Sequence, residues 1–386
     1  HTNFAMESVE QTFNGTPDFG RKVTCTISRN GDLVHKVYLQ VTLPKLKTTT
    51  AADDDDGLSY AARWADHIGH RLIKSVEVEI GGQQIDKHYG EWLNVLHELT
   101  CPAEKKDGEE LMLGYSGTEH TSVGSATATP QDQVTAKTLY IPLQFWFCRN
   151  PGLAVPLIAL QYHEVKINLE FNSLLDNMVL VDDSYVSTGP TWVAGSKTAD
   201  SGNLVSESLG TTSLWVDYIY LDTDERRRFA QVSHEYLIEQ LQYTGTESIT
   251  SGTNKVRMNF NHPVKELVWV LDGTGANSSM EWKAMDGKVK MLLNGHDRFA
   301  ERNSDYFSLV QPHQHHTRVP TAKSVHCYSF ALKPEEHQPS GTCNFSRIDN
   351  ATLQLNTTKA GTMRLFAVNY NVLRVMSGMG GLAYSN

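Results

Sequence analysis

At 386 residues, the chain exceeds the size at which a single hydrophobic core usually stops growing, so two domains are expected. Hydrophobic residues make up 40% of it and charged residues 20%, which excludes an intrinsically disordered chain. The formal net charge of -10 argues against a surface that binds nucleic-acid phosphates, so no direct contact with a genome is expected.

The first predicted elements are strands with one buried face. Residues 22–27 (KVTCTI) alternate apolar and polar side chains, and residues 36–43 do the same after the turn signal Asn30-Gly31. Residues 76–80 alternate again before two glycines. Because successive side chains of a strand point to opposite faces, this pattern predicts antiparallel sheets with one face in a core and one in solvent.

Helical periodicity is scarce, and its clearest example lies at 89–100. Four apolar residues share one face there at helical spacing: Trp92, Val95, Leu96 and Leu99. We expect a short packing helix within a long connection of the first half. The charged segment 222–231 predicts an exposed linker or a turn of helix. Four segments rich in Gly, Ser, Thr and Asp are predicted to be surface loops: 48–70, 102–137, 182–212 and 272–287.

The second half of the chain repeats the first in four collinear blocks. The offset between matching residues falls stepwise along the chain, from 232 to 152 residues. The matching blocks are 4–12 with 236–244 and 22–27 with 255–260, then 76–82 with 289–295, then 140–167 with 328–355, and finally 214–221 with 366–373. Retained strands with shortened connections are typical of a duplicated domain.

About eight strands are predicted in each half. Alternating strands in that number fit an all-β fold, a double jelly roll of two eight-stranded antiparallel β-sandwiches side by side. We place the first jelly-roll domain at residues 1–222 and the second at 223–386.

Motifs that carry chemistry are missing from the sequence. No nucleophile elbow, phosphate-binding loop or zinc-protease helix occurs, so neither a catalytic residue nor a cofactor is predicted, and we expect no enzyme. The histidine pair His67 and His70 and the run 313–316 lack a Cys or carboxylate partner at zinc spacing, so no metal ligand is predicted. Consecutive aspartates at 53–56 repel one another and predict a solvated loop. No apolar run has the ~18 residues that a membrane span needs.

One modification site is predicted. Among the Asn-X-Ser/Thr motifs, Asn277 in the loop segment DGTGANSS is the best candidate for glycosylation. Five scattered cysteines without CxxC spacing predict reduced thiols.

Several long strings carry a specific resemblance: TNFAMESVEQTFNG, VEIGGQQIDKHY, PGLAVPLIALQYHEVK, WVDYIYLDTDERRRFAQVSHEYLIEQLQ and NYNVLRVMSGMGGLAY. They resemble the major capsid protein of the nucleocytoplasmic large DNA viruses, of the chlorovirus or phycodnavirus type. The resemblance implies a homotrimer with a pseudo-hexagonal outline, which contacts neighbouring capsomers and tiles an icosahedral shell over an internal membrane.

The same resemblance implies minor capsid proteins as partners beneath the shell, and a virion that is assembled in the host cytoplasm. Relatives also carry a segment ahead of the first strand, and we expect it to be missing from this chain, which starts at His1.

A carbohydrate-binding, lectin-like jelly roll is the alternative function, because jelly rolls host lectins and the loops contain aromatic residues. In that interpretation, exposed Trp64 and Trp192 would stack on sugars. A glycoside hydrolase on the same fold is a more distant third hypothesis.

Overall fold

The computed structural model describes residues 3–45, 60–114, 121–123, 135–174, 179–182, 193–194, 208–272, 280 and 282–384. Strands dominate these ranges, and they form two jelly rolls, so the predicted all-β double jelly roll is confirmed.

The first roll is formed by two sheets of four main strands. Its part of the chain contains β1 (Phe4–Gln11), β2 (Lys22–Thr26), β3 (Leu33–Leu43), β4 (Tyr60–Trp64), β5 (Ile73–Ile80), β6 (Gln83–Tyr89), β7 (Thr121–Val123), β8 (Lys137–Pro142), β9 (Val155–Pro156), β10 (Val165–Phe171), β11 (Val179–Asp182), β12 (Val193–Ala194) and β13 (Thr212–Leu221). One sheet has the order β1-β13-β3-β8, with β9 beside β3, and the other has the order β2-β10-β5-β6.

The second roll has the same two sheets. Its strands are β14 (His234–Ile249), β15 (Gly252–Arg257), β16 (Pro263–Asp272), β17 (Lys288–Leu293), β18 (His296–Asn303), β19 (Val325–Ser329), β20 (Cys343–Asn344), β21 (Ala351–Thr357), β22 (Gly361–Met376) and β23 (Met379–Leu382). The orders are β14-β22-β16-β19 and β15-β21-β17-β18. Each of these eight main strands occupies the place of its counterpart in the first roll, so β14 corresponds to β1 and β18 to β6.

Strand register shows how far the repeat extends. Tyr218 lies opposite Glu7 in the first roll, and their sequence counterparts Tyr370 and Glu239 lie opposite each other in the second. The β10–β5 pair differs slightly from its counterpart. Val165 pairs with Ile80, whereas the residue aligned with Val165 at an offset of 188, Leu353, pairs two residues earlier in its partner strand, at Met291. An even shift keeps every side chain on the same face, so the core pattern survives it.

Both cores consist of the inward residues of these alternating strands. In β10, every second residue from Val165 to Phe171 is buried, and β21 alternates in the same way from Ala351. Two separate apolar clusters result, one mainly in each roll.

Six α-helices connect the strands of the described ranges. They are α1 (Ile68–Leu72), α2 (Gly90–Thr100), α3 (Lys106–Leu113), α4 (Trp146–Arg149), α5 (Thr223–Gln231) and α6 (Gln311–His315). The predicted helix at 89–100 is α2. The charged segment 222–231 forms α5, which buries no residue and begins after Asp222, whose carboxylate accepts a hydrogen bond from the Thr223 N–H. No described helix has the length and hydropathy to cross a membrane.

The prediction of surface loops is wrong in part. The segment 48–70 contains β4, the segment 102–137 contains α3 and β7, and the segment 182–212 contains β12. These strands and β11 form a further sheet with the order β12-β11-β4-β7. Its strands come from three separate parts of the sequence, 60–64, 121–123 and 179–194, so composition within one segment could not reveal the pairing.

Candidate functional site: the contact between the two rolls

The helix α2 lies between the two rolls: its Leu93 belongs to the core of the first roll, and another face packs on the second. Trp92, Val95, Leu96 and Leu99 form that second face. They join one apolar cluster with strand residues of the second roll: Val268, Val270, Val325, Cys327, Phe366 and Val368. Full burial of an apolar side chain of this size contributes about 1.5–3 kcal/mol, so this helix is a principal apolar link between the rolls.

The strand β16 is therefore buried on both faces. Leu267, Trp269 and Leu271 point into the core of the second roll, whereas Val268 and Val270 lie under α2. The sequence carries a signal for this, because residues 267–271 form a continuous apolar run instead of alternating. Runs of this kind indicate a strand that is covered on both faces.

A buried ionic network lies beside the helix. The Glu239 carboxylate pairs with the ammonium of Lys265 at 2.7 Å and with the Arg149 guanidinium of the first roll at 3.2 Å. The Lys265 residue is 1% exposed. Burial opposes ionisation of Glu239, but a hydrogen bond with His337 and the charges of Lys265 and Arg149 outweigh it and lower the pKa of the carboxyl to about 2.

Hydrogen bonds link the edge strand β14 to β6 of the first roll. The Gln240 side-chain amide donates to the Ile85 carbonyl, and the Leu241 N–H donates to the Asp86 carboxylate at 3.0 Å. The centre of β14 is buried by this contact. A strand at a sheet edge is thus covered by a neighbouring roll within the same chain.

The last hairpin, β22–β23, returns to the first roll. The Tyr162 N–H donates to the Gly378 carbonyl at 2.9 Å, and the Leu382 N–H donates to Gln83 Oε1 at 3.3 Å. Leu373 and Val375 of the second roll even belong to the apolar core of the first. The two rolls therefore share three kinds of contact, which are apolar, ionic and backbone.

Histidines gather at the far end of α2. The sequence paired only His67 with His70, and the structure adds His97, whose ring centroid lies 5.6 Å and 5.9 Å from theirs. Cys101 and Glu109 lie at the same place as His97. Burial, with the nearby His97, lowers the pKa of His67 to about 4, and burial also lowers the pKa of His70. The spacing His97-x3-Cys101 at a helix end was the signal that sequence reasoning missed.

The histidine run 313–316 has a structural role in the second roll. His316 pairs with Glu266 and Glu335, each at 3.1 Å. Burial opposes protonation of this imidazole, but the Glu266 charge and the hydrogen bonds with Cys327, Glu266 and Glu335 raise its pKa.

The remaining predicted positions have different outcomes. Asn277, the aspartates 53–56 and Trp192 lie outside the described residues, so glycosylation at Asn277 stays a prediction. Trp64 is 2% exposed, which contradicts its predicted role in the lectin hypothesis, since a buried indole cannot stack on a sugar. The indole ring packs instead among apolar side chains of the first roll's core. The absence of a metal ligand and of a catalytic residue also stays a prediction.

Two family models match the chain. A model described as major capsid protein N-terminus matches residues 1–222, and one described as large eukaryotic DNA virus major capsid protein matches residues 225–381.

Similar proteins match along the whole chain. The major capsid protein of Pyramimonas orientalis virus is 55% identical, with 100% of this chain and 92% of the relative covered. The major capsid protein of Paramecium bursaria Chlorella virus 1 is 39% identical, with the same coverage of both chains, so the resemblance to the chlorovirus type is confirmed. A solved structure described as the PBCV-1 virus capsid superposes with a TM-score of 0.80 at 36% identity, over 100% of this chain and 98% of the other.

Proposed function

This chain belongs to the family of large eukaryotic DNA virus major capsid proteins, and from that membership we propose that three copies assemble into a ring-shaped capsomer. Members of the family are structural proteins of the virion capsid, so a shell position applies to this chain. The lectin hypothesis has no support from the comparisons.

One asymmetry in the chain carries the proposal. The edge strand β14 is covered by β6 of the first roll, but its counterpart β1 is exposed over most of its length. The counterpart of β6 is β18, and that strand is exposed over most of its length as well. Each chain therefore presents two uncovered strands, β1 of the first roll and β18 of the second.

Repeating the internal contact between chains would cover both strands. If β18 of one chain lies on β1 of the next, this contact between chains repeats the contact of β6 on β14 within one chain. Every roll then contacts one roll on each side in the same way. A contact between unlike surfaces closes into a ring when the rotation permits it. Three chains with two similar rolls each give six similar units, hence a trimer with a pseudo-hexagonal outline.

Exposed side chains on the two strands fit such a contact. The strand β1 exposes Phe4 and Met6 at 63% and 47%, together with the carboxylate of Glu10. The strand β18 exposes Arg298 and Arg302. Apolar surface and opposite charges are the ordinary components of a specific protein interface.

Further partners follow from the family. The capsomers would pack edge to edge with neighbouring capsomers in an icosahedral shell, above minor capsid proteins and an internal membrane, without direct contact with the genome. Assembly in the host cytoplasm and the absence of enzymatic activity belong to the same proposal.

We also propose residues 1–222 and 223–386 as the two domains. The support is that strands of the described ranges pair only within one range or the other.

The test is the mass of the purified protein in solution, measured by light scattering after size-exclusion chromatography. We expect a trimer that dissociates in Glu10→Lys and in Arg298→Glu, because each variant places like charges across the contact. The double variant Glu10→Lys/Arg298→Glu restores opposite charges and is expected to recover part of the trimer. Glu336→Lys, at an exposed carboxylate outside β1 and β18, is the comparison for a general charge effect. A stable monomer of the unmodified chain would contradict the proposal.

A further inference from the structure

Three side chains of different chemistry meet where α2 ends. His97 and Cys101 are four residues apart, so both lie on one side of the helix end, and Glu109 reaches them from α3. One ligand atom of each lies within 4.8 Å of the other two. The His97 Nδ1 atom is 3.0 Å from Glu109 Oε2.

Imidazole nitrogen, thiolate sulfur and carboxylate oxygen are the protein ligands that Zn²⁺ takes. A magnesium or calcium site would be built from oxygen ligands instead. The mixed donor set therefore favours zinc over the hard cations.

Two imidazole nitrogens at this place have no hydrogen-bond partner among the described residues, namely His97 Nε2 and His70 Nδ1. Both residues are buried, at 7% and 4% exposure. Leaving a buried polar atom unsatisfied costs about 1–3 kcal/mol, so a missing partner is expected here. A water bound to an ion at this place would satisfy His70 Nδ1, and a second water in the same cavity would satisfy His97 Nε2, which points away from Glu109.

There is room for that partner. A cavity of about 180 Å³ is lined by His70, His97, Cys101 and Glu109. On the same measure a cavity needs about 10–15 Å³ to hold one water, so this cavity can hold an ion and a water. Gln144 and Thr100 add polar groups to the wall.

We propose that His97, Cys101 and Glu109 bind a zinc ion whose fourth ligand is a water molecule in this cavity. A neutral imidazole at His70 accepts a hydrogen bond from that water. Three protein ligands and one water are a common arrangement for zinc. The ion joins α2 to α3 and so fixes the end of the helix that carries Leu96 and Leu99 against the second roll.

The experiment uses the full-length purified protein in its native assembly. After dialysis against a weak chelator, the zinc content is measured by mass spectrometry, and the metal-free protein is titrated with Co²⁺ as a spectroscopic probe. We expect about one zinc ion per chain, and a cobalt complex with a thiolate-to-metal charge-transfer band. Zinc that binds only at millimolar concentration, or a cobalt spectrum without that band, would overturn the proposal.

Two variants separate the site from general effects. Cys101→Ser is expected to lose the charge-transfer band and to bind zinc at least about tenfold more weakly. Cys343→Ser, at a partly buried cysteine of the second roll, should retain both properties. If Cys101→Ser does not fold, Glu109→Gln replaces it, since its side chain is 35% exposed and tolerates the change. Unchanged zinc affinity in Glu109→Gln would then contradict the proposal.

Discussion

Trp92 of the first roll packs against Phe366 of the second, with ring centroids 5.2 Å apart and ring planes inclined by 47°. Phe366 is in turn stacked on Tyr243 at 4.9 Å. This aromatic group lies between a helix of one roll and a sheet of the other, so the two rolls are expected to unfold as one cooperative unit.

The contact predicts a large effect of Trp92→Ala. Truncation of a buried Trp leaves a cavity and is expected to lower the free energy of unfolding by about 3–5 kcal/mol. Urea unfolding monitored by circular dichroism measures it. Leu332→Ala, at a side chain that is 75% exposed, is the control and should change little. Equal losses in both variants would show that α2 contributes no more than a surface residue.

The Glu239 network predicts a second loss. In Glu239→Gln, the Lys265 ammonium remains buried without its counter-charge, and the free energy of unfolding should fall by about 3–5 kcal/mol. The exposed pair of Glu235 and Arg374 has a similar distance, 2.8 Å, yet Glu235→Gln should cost less than about 1 kcal/mol.

Replacing Lys265 as well removes the buried ammonium that Glu239→Gln leaves without a counter-charge. The double variant Glu239→Gln/Lys265→Met should therefore recover much of the stability lost in Glu239→Gln. A double variant that is less stable than the single one would mean that packing, and not charge, dominates at this position.

His326 predicts loss of stability in acid. Burial lowers the pKa of this imidazole to about 4, from an ordinary value of 6.5. Between pH 6.5 and about pH 4, His326 is therefore protonated in the unfolded chain but neutral in the folded chain. The free energy of unfolding falls as the pH is lowered through this range. A difference of this size corresponds to about 3 kcal/mol.

The variant His326→Phe should retain the stacking on Trp269, whose ring centroid is 5.9 Å away, and remove the titration. Its stability curve, measured in urea from pH 7 to pH 4, is expected to fall less steeply than that of the unmodified chain. His313→Phe, at an exposed histidine, should leave the slope unchanged. An identical slope in all three proteins would contradict the assignment to His326.

The proposed ring predicts a specific cross-link. Within one chain, Gln240 of β14 contacts Ile85 of β6, and the counterparts of these residues are Ser8 of β1 and Arg298 of β18. The variant Ser8→Cys/Arg298→Cys, treated with a short bis-maleimide, should give covalent trimers on a denaturing gel. Ser8→Cys alone should not, and cross-linking limited to random dimers would argue against this arrangement.

Much of the fold could be predicted because strand faces are a local property. The alternation in residues 22–27 and 76–80 is visible without any partner, and the face survives even the two-residue register shift at Leu353. The helix α2 was predicted for the same reason. The sheet that packs on α2 was not predicted, because helical spacing shows which face of a helix is apolar but not which element covers that face.

Two of the missed features depend on distant residues. The sheet containing β4 and β11 includes three strands, β4, β7 and β12, whose segments look like loops one at a time. Trp64 was expected at the surface, and is buried, because neighbours from other strands enclose it.

The sequence by itself determined that this protein is a duplicated β-sandwich and a member of a capsid family, because strand periodicity, repeats and family motifs are written along the chain. Only the tertiary structure decided which strand edges are covered, that Leu241 bonds to Asp86 across 155 residues, and that His97, Cys101 and Glu109 meet. The Leu241–Asp86 contact forms when the chain closes a long loop, and in each case the packing of the whole fold determines which groups meet.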